Sequence, residues 1–192
     1  FALQGHFDFV VTEDKLQPLF AVEFDGPTHN GQQQIERDER KNKLAEQFTL
    51  PLLRVRSPHV FHTYDGWDLL SWIVEVWFLY REVEHLYQQG QLPPDFLFDP
   101  ALIVSCPDKE GRFPYWIGLD AQLRIQKMYK EGKCSQMTPS LFVGVDRNDN
   151  YRGIAAIRLD ENYAVSVRSG MRPQQFPVDF SELLRGVLVK DL

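Results

Sequence analysis

F-A-V-E-F-D-G-P-T-H, residues 20–29, is the segment on which the predicted topology of this 192-residue chain depends. Glu23 and Asp25 alternate with apolar side chains, which is the period of a β-strand, and a Gly-Pro pair ends the strand. The alternation places both carboxylates on one face. Two neighbouring acids repel each other and lose hydration when they are buried, so the pattern predicts a compensating cation. A divalent metal ion held by oxygen ligands is the simplest choice.

An antiparallel hairpin is predicted immediately before this segment. Residues 5–12, G-H-F-D-F-V-V-T, alternate in the same way and predict a strand. A polar turn then leads to the second strand, over residues 19–25. In such a hairpin Asp8 faces the same side of the sheet as the two acids of the second strand.

A helix and a buried strand are predicted after the segment. Residues 31–48 are rich in Gln, Glu, Arg and Lys and predict a helix. Residues 50–55, L-P-L-L-R-V, predict a short buried strand that an αβ crossover brings onto the sheet. The inward stripe of the helix is charged at its start and apolar at its end, which suits a helix covering a polar site and a core. Its members are Asp38, Lys41, Ala45 and Phe48.

The second half of the chain has a different character. Residues 67–88 predict a long aromatic helix, apolar on more than one side, which is a core or interface helix or a base-stacking platform. G-Q-L-P-P, residues 90–94, marks the predicted boundary between a first domain over 1–90 and an α+β accessory domain over 91–192. The elements predicted there are strands over 101–105, 141–145, 151–159 and 163–168 and helices over 120–130 and 181–187.

Composition limits the function classes. The 43% hydrophobic content suits a packed globular core, and no apolar run is long enough to cross a bilayer. A net charge of -6 argues mildly against a surface built for nucleic acid. Cys106 and Cys134 match no metal-ligand spacing and predict free thiols in a cytoplasmic protein. The abrupt start at Phe1 predicts that N-terminal elements are missing.

Four motifs taken in order resemble the restriction-endonuclease-like, or PD-(D/E)xK, superfamily. They are D-F-V-V from Asp8, E-F-D-G-P-T-H from Glu23, R-D-E-R-K-N from Arg37 and P-L-L-R-V from Pro51. Within the superfamily they are similar to the very-short-patch-repair endonuclease branch and related bacterial domains of unknown role. The resemblance implies an α/β fold with a mixed sheet flanked by helices, followed here by a C-terminal α+β extension.

The resemblance also implies metal-dependent hydrolysis of phosphodiester bonds. Asp8 and Asp25 are then the ligands of Mg²⁺, for which Mn²⁺ substitutes, and Glu23 is a third ligand or orients a water molecule. His29, just after the turn, protonates the leaving group or positions a water molecule. Lys41 stabilises the charge that develops on the phosphorus centre.

The chain departs from the superfamily pattern at three points. The usual motif has a lysine two residues after the acid, where this chain has Asp25, so we expect Lys41 to supply that cation from the helix. The repair branch has histidine at the same position, so its mechanism does not carry over. Related folds also take an acid from a helix before the first strand, and this chain begins after that point.

Each candidate residue has a structural alternative. Asp8 caps a turn or pairs with Arg54, and the acids of the second strand pair with Arg37 or Lys41. The histidine after the turn is then an ordinary surface residue. The charged stripe of the helix is a solvated face.

Three functions follow from these alternatives. The first is a Mg²⁺-dependent endonuclease that acts on DNA, as a module of a defence or repair protein. The second is a non-catalytic module that binds protein or nucleic acid, and the third is RNA cleavage. The C-terminal half is expected to position the substrate or a protein partner. Its arginines form a basic patch or are scattered and solvated: Arg152, Arg158, Arg168, Arg172 and Arg185.

Overall fold

The computed structural model describes residues 6–25, 32–56, 60–64, 66–97, 117–172 and 174–192, with side chains of the first helix from residue 36 onward. It confirms a mixed α/β chain. His29, Cys106 and the strand predicted over 101–105 lie outside the described residues. No helix of the described residues is long and apolar enough to span a membrane.

Contacts divide the chain into two compact units. The first contains residues 1–71 and 174–177, and the second contains residues 72–173 and 178–192. This division groups residues by contact, whereas the boundary after residue 90 was predicted from composition. That boundary stays a prediction.

The sheet of the first unit has the predicted hairpin and crossover. Strand β1 (Phe9–Thr12) pairs antiparallel with β2 (Pro18–Asp25), and helix α1 (Gln32–Gln47) leads to β3 (Leu52–Arg56), which pairs parallel with β2. The strand order is β1-β2-β3. Strand β1 is shorter than predicted, since residues 6–8 are not part of it. A small hairpin follows, formed by β4 (Thr63–Tyr64) and β5 (Trp67–Asp68).

Helix α1 packs on the face of β2 that carries the acids. At its C-terminal end Ala45 packs with Ala21 and Leu52 in an apolar cluster, as the predicted stripe requires. Phe48 was predicted to point inward, and this is wrong because its side chain is 66% exposed. The helix ends at Gln47, so the helical spacing no longer applies to Phe48.

A segment from near the C-terminus covers the outer edge of β3. The amide of Leu52 donates to the carbonyl of Gln175 at 3.0 Å. The side-chain amide of Gln174 accepts from the backbone nitrogen of Arg54 at 2.9 Å and donates to its carbonyl at 3.0 Å. Because a buried strand edge needs partners for its backbone groups, these bonds complete the sheet. The sequence analysis did not predict this contribution.

The aromatic helix begins two residues later than predicted. Residues Trp67 and Asp68 form β5, and helix α2 runs over Leu69–Gln88. The carboxylate of Asp68 accepts from the backbone and hydroxyl of Ser71 at 2.8 and 2.9 Å, which caps the first turn. The helix carries buried and exposed aromatic side chains, which agrees with apolar character on more than one side.

The second unit contains an antiparallel sheet with a helix before it and a helix after it. Helix α3 is Leu119–Lys130, and the last helix, α4, is Phe180–Asp191, longer than predicted. The carboxylate of Asp179 caps α4 by accepting from the amides of its first turn. The three strands lie in the order β6-β7-β8 and agree closely with those predicted: β6 (Ser140–Val145), β7 (Tyr151–Arg158) and β8 (Ala164–Met171).

Candidate functional site

Asp8 and Glu23 are joined at the end of β1. The register pairs Phe9 with Val22, so Asp8 comes opposite Glu23. The backbone nitrogen of Asp8 donates to Oε1 of Glu23 at 3.1 Å, and the amide of Phe24 donates to Oδ2 of Asp8 at 2.8 Å. The Asp8 carboxylate therefore serves as a hydrogen-bond partner for β2 beyond the end of β1. The residue that it binds, Phe24, directly precedes Asp25.

Lys41 reaches Glu23 from helix α1. Its Nζ lies 2.5 Å from Oε2 of Glu23, and the two side chains are only 17% and 5% exposed. Because Oε1 of Glu23 already accepts from Asp8, both oxygens of this carboxylate are engaged. Poor access to water makes such a pair far less screened than a surface salt bridge.

Arg54 forms a second network on the same face. Arg54 lies on β3, where the parallel register pairs it with Glu23 of β2. Its Nη1 lies 3.0 Å from Oδ1 of Asp25 and 3.4 Å from Oδ1 of Asp38, and its Nη2 lies 3.0 Å from Oδ1 of Asn42. One guanidinium therefore ties β2, β3 and α1 together, which its planar fork of donors allows.

The structure brings four of the five predicted site residues into one region. Asp8, Glu23, Asp25 and Lys41 all belong to these two networks, and His29 lies outside the described residues. Their catalytic and metal-binding roles stay predictions. The structural alternatives also have support, because Glu23 pairs with Lys41. Arg54 pairs with Asp25 and Asp38 rather than with Asp8.

The cluster carries more negative than positive groups. Four carboxylates, those of Asp8, Glu23, Asp25 and Asp38, stand against the two cations Lys41 and Arg54. With every group ionised, these six described side chains have a formal balance of 2 - 4 = -2. Glu23 and Asp25 are buried, whereas Asp8 is exposed. The two buried carboxylates favour an added cation most, since attraction there is weakly screened.

The carboxylates of Asp8, Glu23 and Asp25 differ in how well they fit a divalent metal ion. Among the described residues no group of three or more His, Cys, Asp or Glu side chains gathers as a metal site. Both Glu23 oxygens are occupied by protein donors, so Glu23 fits as the partner of Lys41 better than as a ligand. Asp8 and Asp25 fit better, because each is a hard oxygen donor and the Asp8 carboxylate binds the backbone of Phe24, the residue before Asp25.

The sequence analysis gave no functional role to three residues in or beside these networks: Arg54, Asn42 and Gln174. Arg54 appeared only as a possible partner of Asp8, and Asn42 was only part of the R-D-E-R-K-N motif. The i, i+4 spacing of Asp38 and Asn42 was a usable signal, because it puts both on one helix face. Gln174 had no local signal, since it lies 120 residues from the backbone that it binds.

Comparison with known proteins gives one match. Residues 2–65 match DUF2726, a family of proteins of unknown function, and this is about a third of the chain. Neither the curated proteins nor the solved structures gave a significant match. The matched region contains β1, β2, α1 and β3, and therefore the acids, Lys41 and Arg54.

Proposed function

We propose that the chain is a Mg²⁺-dependent endonuclease that hydrolyses phosphodiester bonds of DNA, with its site on a restriction-endonuclease-like fold. The observation that carries the proposal is the cluster of acids around β2, with two more acids than cations among the six described side chains of the two networks and a lysine in contact. The order β1-β2-α1-β3, an antiparallel hairpin followed by a parallel crossover, supports the fold assignment.

Each side chain has a task in the proposed reaction. A bound Mg²⁺ ion supplies neutralisation of the phosphate charge and a more acidic water molecule. Asp8 and Asp25 would hold such an ion. Glu23 keeps the Lys41 ammonium at the site, where it binds a non-bridging phosphate oxygen as charge develops. His29 protonates the leaving oxygen.

Arg54 has a positioning role in this scheme. Its guanidinium fixes one oxygen of Asp25 and links it to α1 through Asp38. A ligand held by a rigid neighbour needs less reorganisation when the ion binds. Rotation of Asp25 is restricted further because its side chain is only 7% exposed.

The test is cleavage of labelled DNA in the presence of Mg²⁺ or Mn²⁺. Asp25→Ala is expected to abolish cleavage, and Asp25→Asn is the second variant because its amide oxygen still accepts from Arg54. Asp14→Ala, at an exposed acid of the β1–β2 turn, is the matched control and is expected to retain activity. Full cleavage by folded Asp25→Asn would overturn the site assignment. RNA substrates run in parallel test the RNA alternative.

A non-catalytic binding module is the second candidate function. It is favoured by the engagement of Glu23 with Lys41 and of Asp25 with Arg54, which satisfies these acids without a metal ion. Calorimetric titration with Mg²⁺ and Mn²⁺ separates the two functions. Heat of binding that disappears in Asp25→Asn supports the nuclease, and no heat at all supports the binding module.

A further inference from the structure

The antiparallel sheet of the second unit has one covered face and one open face. A Cβ atom added to Gly153 would lie 2.4 Å from Leu188 of α4, so the face that contains Gly153 packs against that helix. The register places the alternate residues of all three strands on the opposite side. We call this side the open face. It carries Phe142, Arg152, Arg158 and Arg168, and its other positions are Ser, Ala, Gly or Ile.

Phe142 and Arg152 lie flat on the open face. A Cβ atom on Gly144 would be 3.1 Å from the Phe142 ring, and one on Gly170 would be 2.7 Å from Nη1 of Arg152. The ring and the guanidinium therefore each extend over a glycine instead of standing away from the sheet. The Phe142 side chain is nevertheless 67% exposed, so a flat aromatic surface faces solvent.

The charge of the open face is opposite to that of the chain. Its strand positions contain three arginines and no acid, in a chain whose net charge is -6. Asp146 at the rim offsets Arg152 through a 2.8 Å ion pair. The hydrogen bond from Arg152, together with those from the backbone amides of Asn148 and Asn150, lowers the pKa of Asp146 to about 2. Arg158 and Arg168 are exposed and form no ion pair with any described residue.

The sheet register sets these groups side by side. Phe142, Ile154 and Arg168 form one row across the three strands, so the α-carbons of Phe142 and Arg168 lie on one line across the sheet. Arg158 lies four residues along β7 from Ile154, on the same side. Alternate residues of a strand are about 6.6 Å apart, so Arg158 lies about 13 Å along β7 from that row.

We propose that the open face binds single-stranded DNA, with an unpaired base stacked on Phe142 and phosphates bound by Arg168 and Arg158. Stacking on a flat exposed ring requires a base that is free of the duplex stack, and the arginines match the phosphate charge. The choice of DNA over RNA rests on the proposed function. The face itself belongs to the second unit, so binding and cleavage can succeed or fail separately.

The experiment is fluorescence anisotropy of a labelled oligothymidylate with the full chain, in EDTA so that no cleavage occurs. Phe142→Ala is expected to weaken binding by about 5- to 150-fold, the usual effect of losing one stacked base. Arg168→Ala is expected to reduce the slope of log K against log salt by about 0.7. Tyr129→Ala and Arg124→Ala, exposed side chains of α3, are the matched controls and are expected to bind normally.

Several results would overturn the proposal. These are no salt-dependent binding by the unmodified chain, unchanged affinity in Phe142→Ala, or equal losses in the α3 controls. If duplex DNA bound more tightly than oligothymidylate, single-stranded DNA would be rejected as the ligand. If oligouridylate bound more tightly than oligothymidylate, DNA would be rejected in favour of RNA. The nuclease proposal is tested in Mg²⁺ with Asp25→Asn, whose open face is intact, so the two failures are distinguishable.

Discussion

Replacing Lys41 with Met leaves Glu23 as a nearly buried carboxylate without its lysine. The Glu23 side chain is 5% exposed and that of Lys41 is 17% exposed. Removing one member of a buried pair typically costs about 3–5 kcal/mol, because the remaining charge is poorly hydrated. Water reaches the lysine end to some extent, and the backbone of Asp8 still donates to Glu23. We therefore expect the free energy of unfolding to fall by about 3 kcal/mol, the lower end of that range.

Urea unfolding at pH 7, followed by circular dichroism, measures this loss. Lys43→Met on the same helix is the matched control, because Lys43 is exposed and its removal is expected to change stability by less than about 0.5 kcal/mol. The double variant Glu23→Gln/Lys41→Met is expected to recover most of the loss, since it leaves no unpaired charge. If Lys41→Met were as stable as Lys43→Met, the argument that this pair is buried and coupled would be refuted.

Four further substitutions test other parts of the structure. Arg54→Lys keeps the charge but loses the planar fork, so urea unfolding should show a loss of at least about 1.5 kcal/mol. Gly186→Ala, in a helix with room for a methyl group, should raise the unfolding free energy by about 0.5–1 kcal/mol. Gly153→Ala should lower the unfolding free energy by about 1–3 kcal/mol, because the added methyl group overpacks against α4. Burial raises the pKa of Asp120, but the hydrogen bond and charge of Lys190, the backbone amide of Ala121 and the charge of Arg124 together lower it below 3.8. The stabilisation is present above the unfolded-state pKa and is lost as the pH falls through the folded value. The stability gap between the unmodified chain and Asp120→Asn should therefore shrink on acidification, and a constant gap from neutral to acid pH would contradict it.

Local pattern was sufficient for most secondary structure. The period-two alternation predicted β1 and β2, and helical spacing predicted that Lys41 and Ala45 face the sheet. These predictions succeeded because side-chain periodicity depends only on neighbouring backbone angles. The prediction for Phe48 failed because the helix ends one residue earlier, at Gln47. A rule based on residue spacing does not say at which residue a helix ends.

The pairing of charges needed the three-dimensional fold. Arg54 is 29 residues from Asp25 in sequence, and its contact depends on the parallel register of β2 and β3. The bonds from Gln174 to β3 span 120 residues and have no local signature. Such contacts are set by the closure of long loops, which a short window of sequence does not describe.

The sequence by itself determined the hairpin, the crossover and an acid-bearing face on β2, because alternation and turn residues act over a few neighbouring positions. Only the tertiary structure decided which cation meets which acid and which arginines share a sheet face with Phe142. Both depend on strand register, and a shift of one residue would turn every side chain to the other face of its sheet.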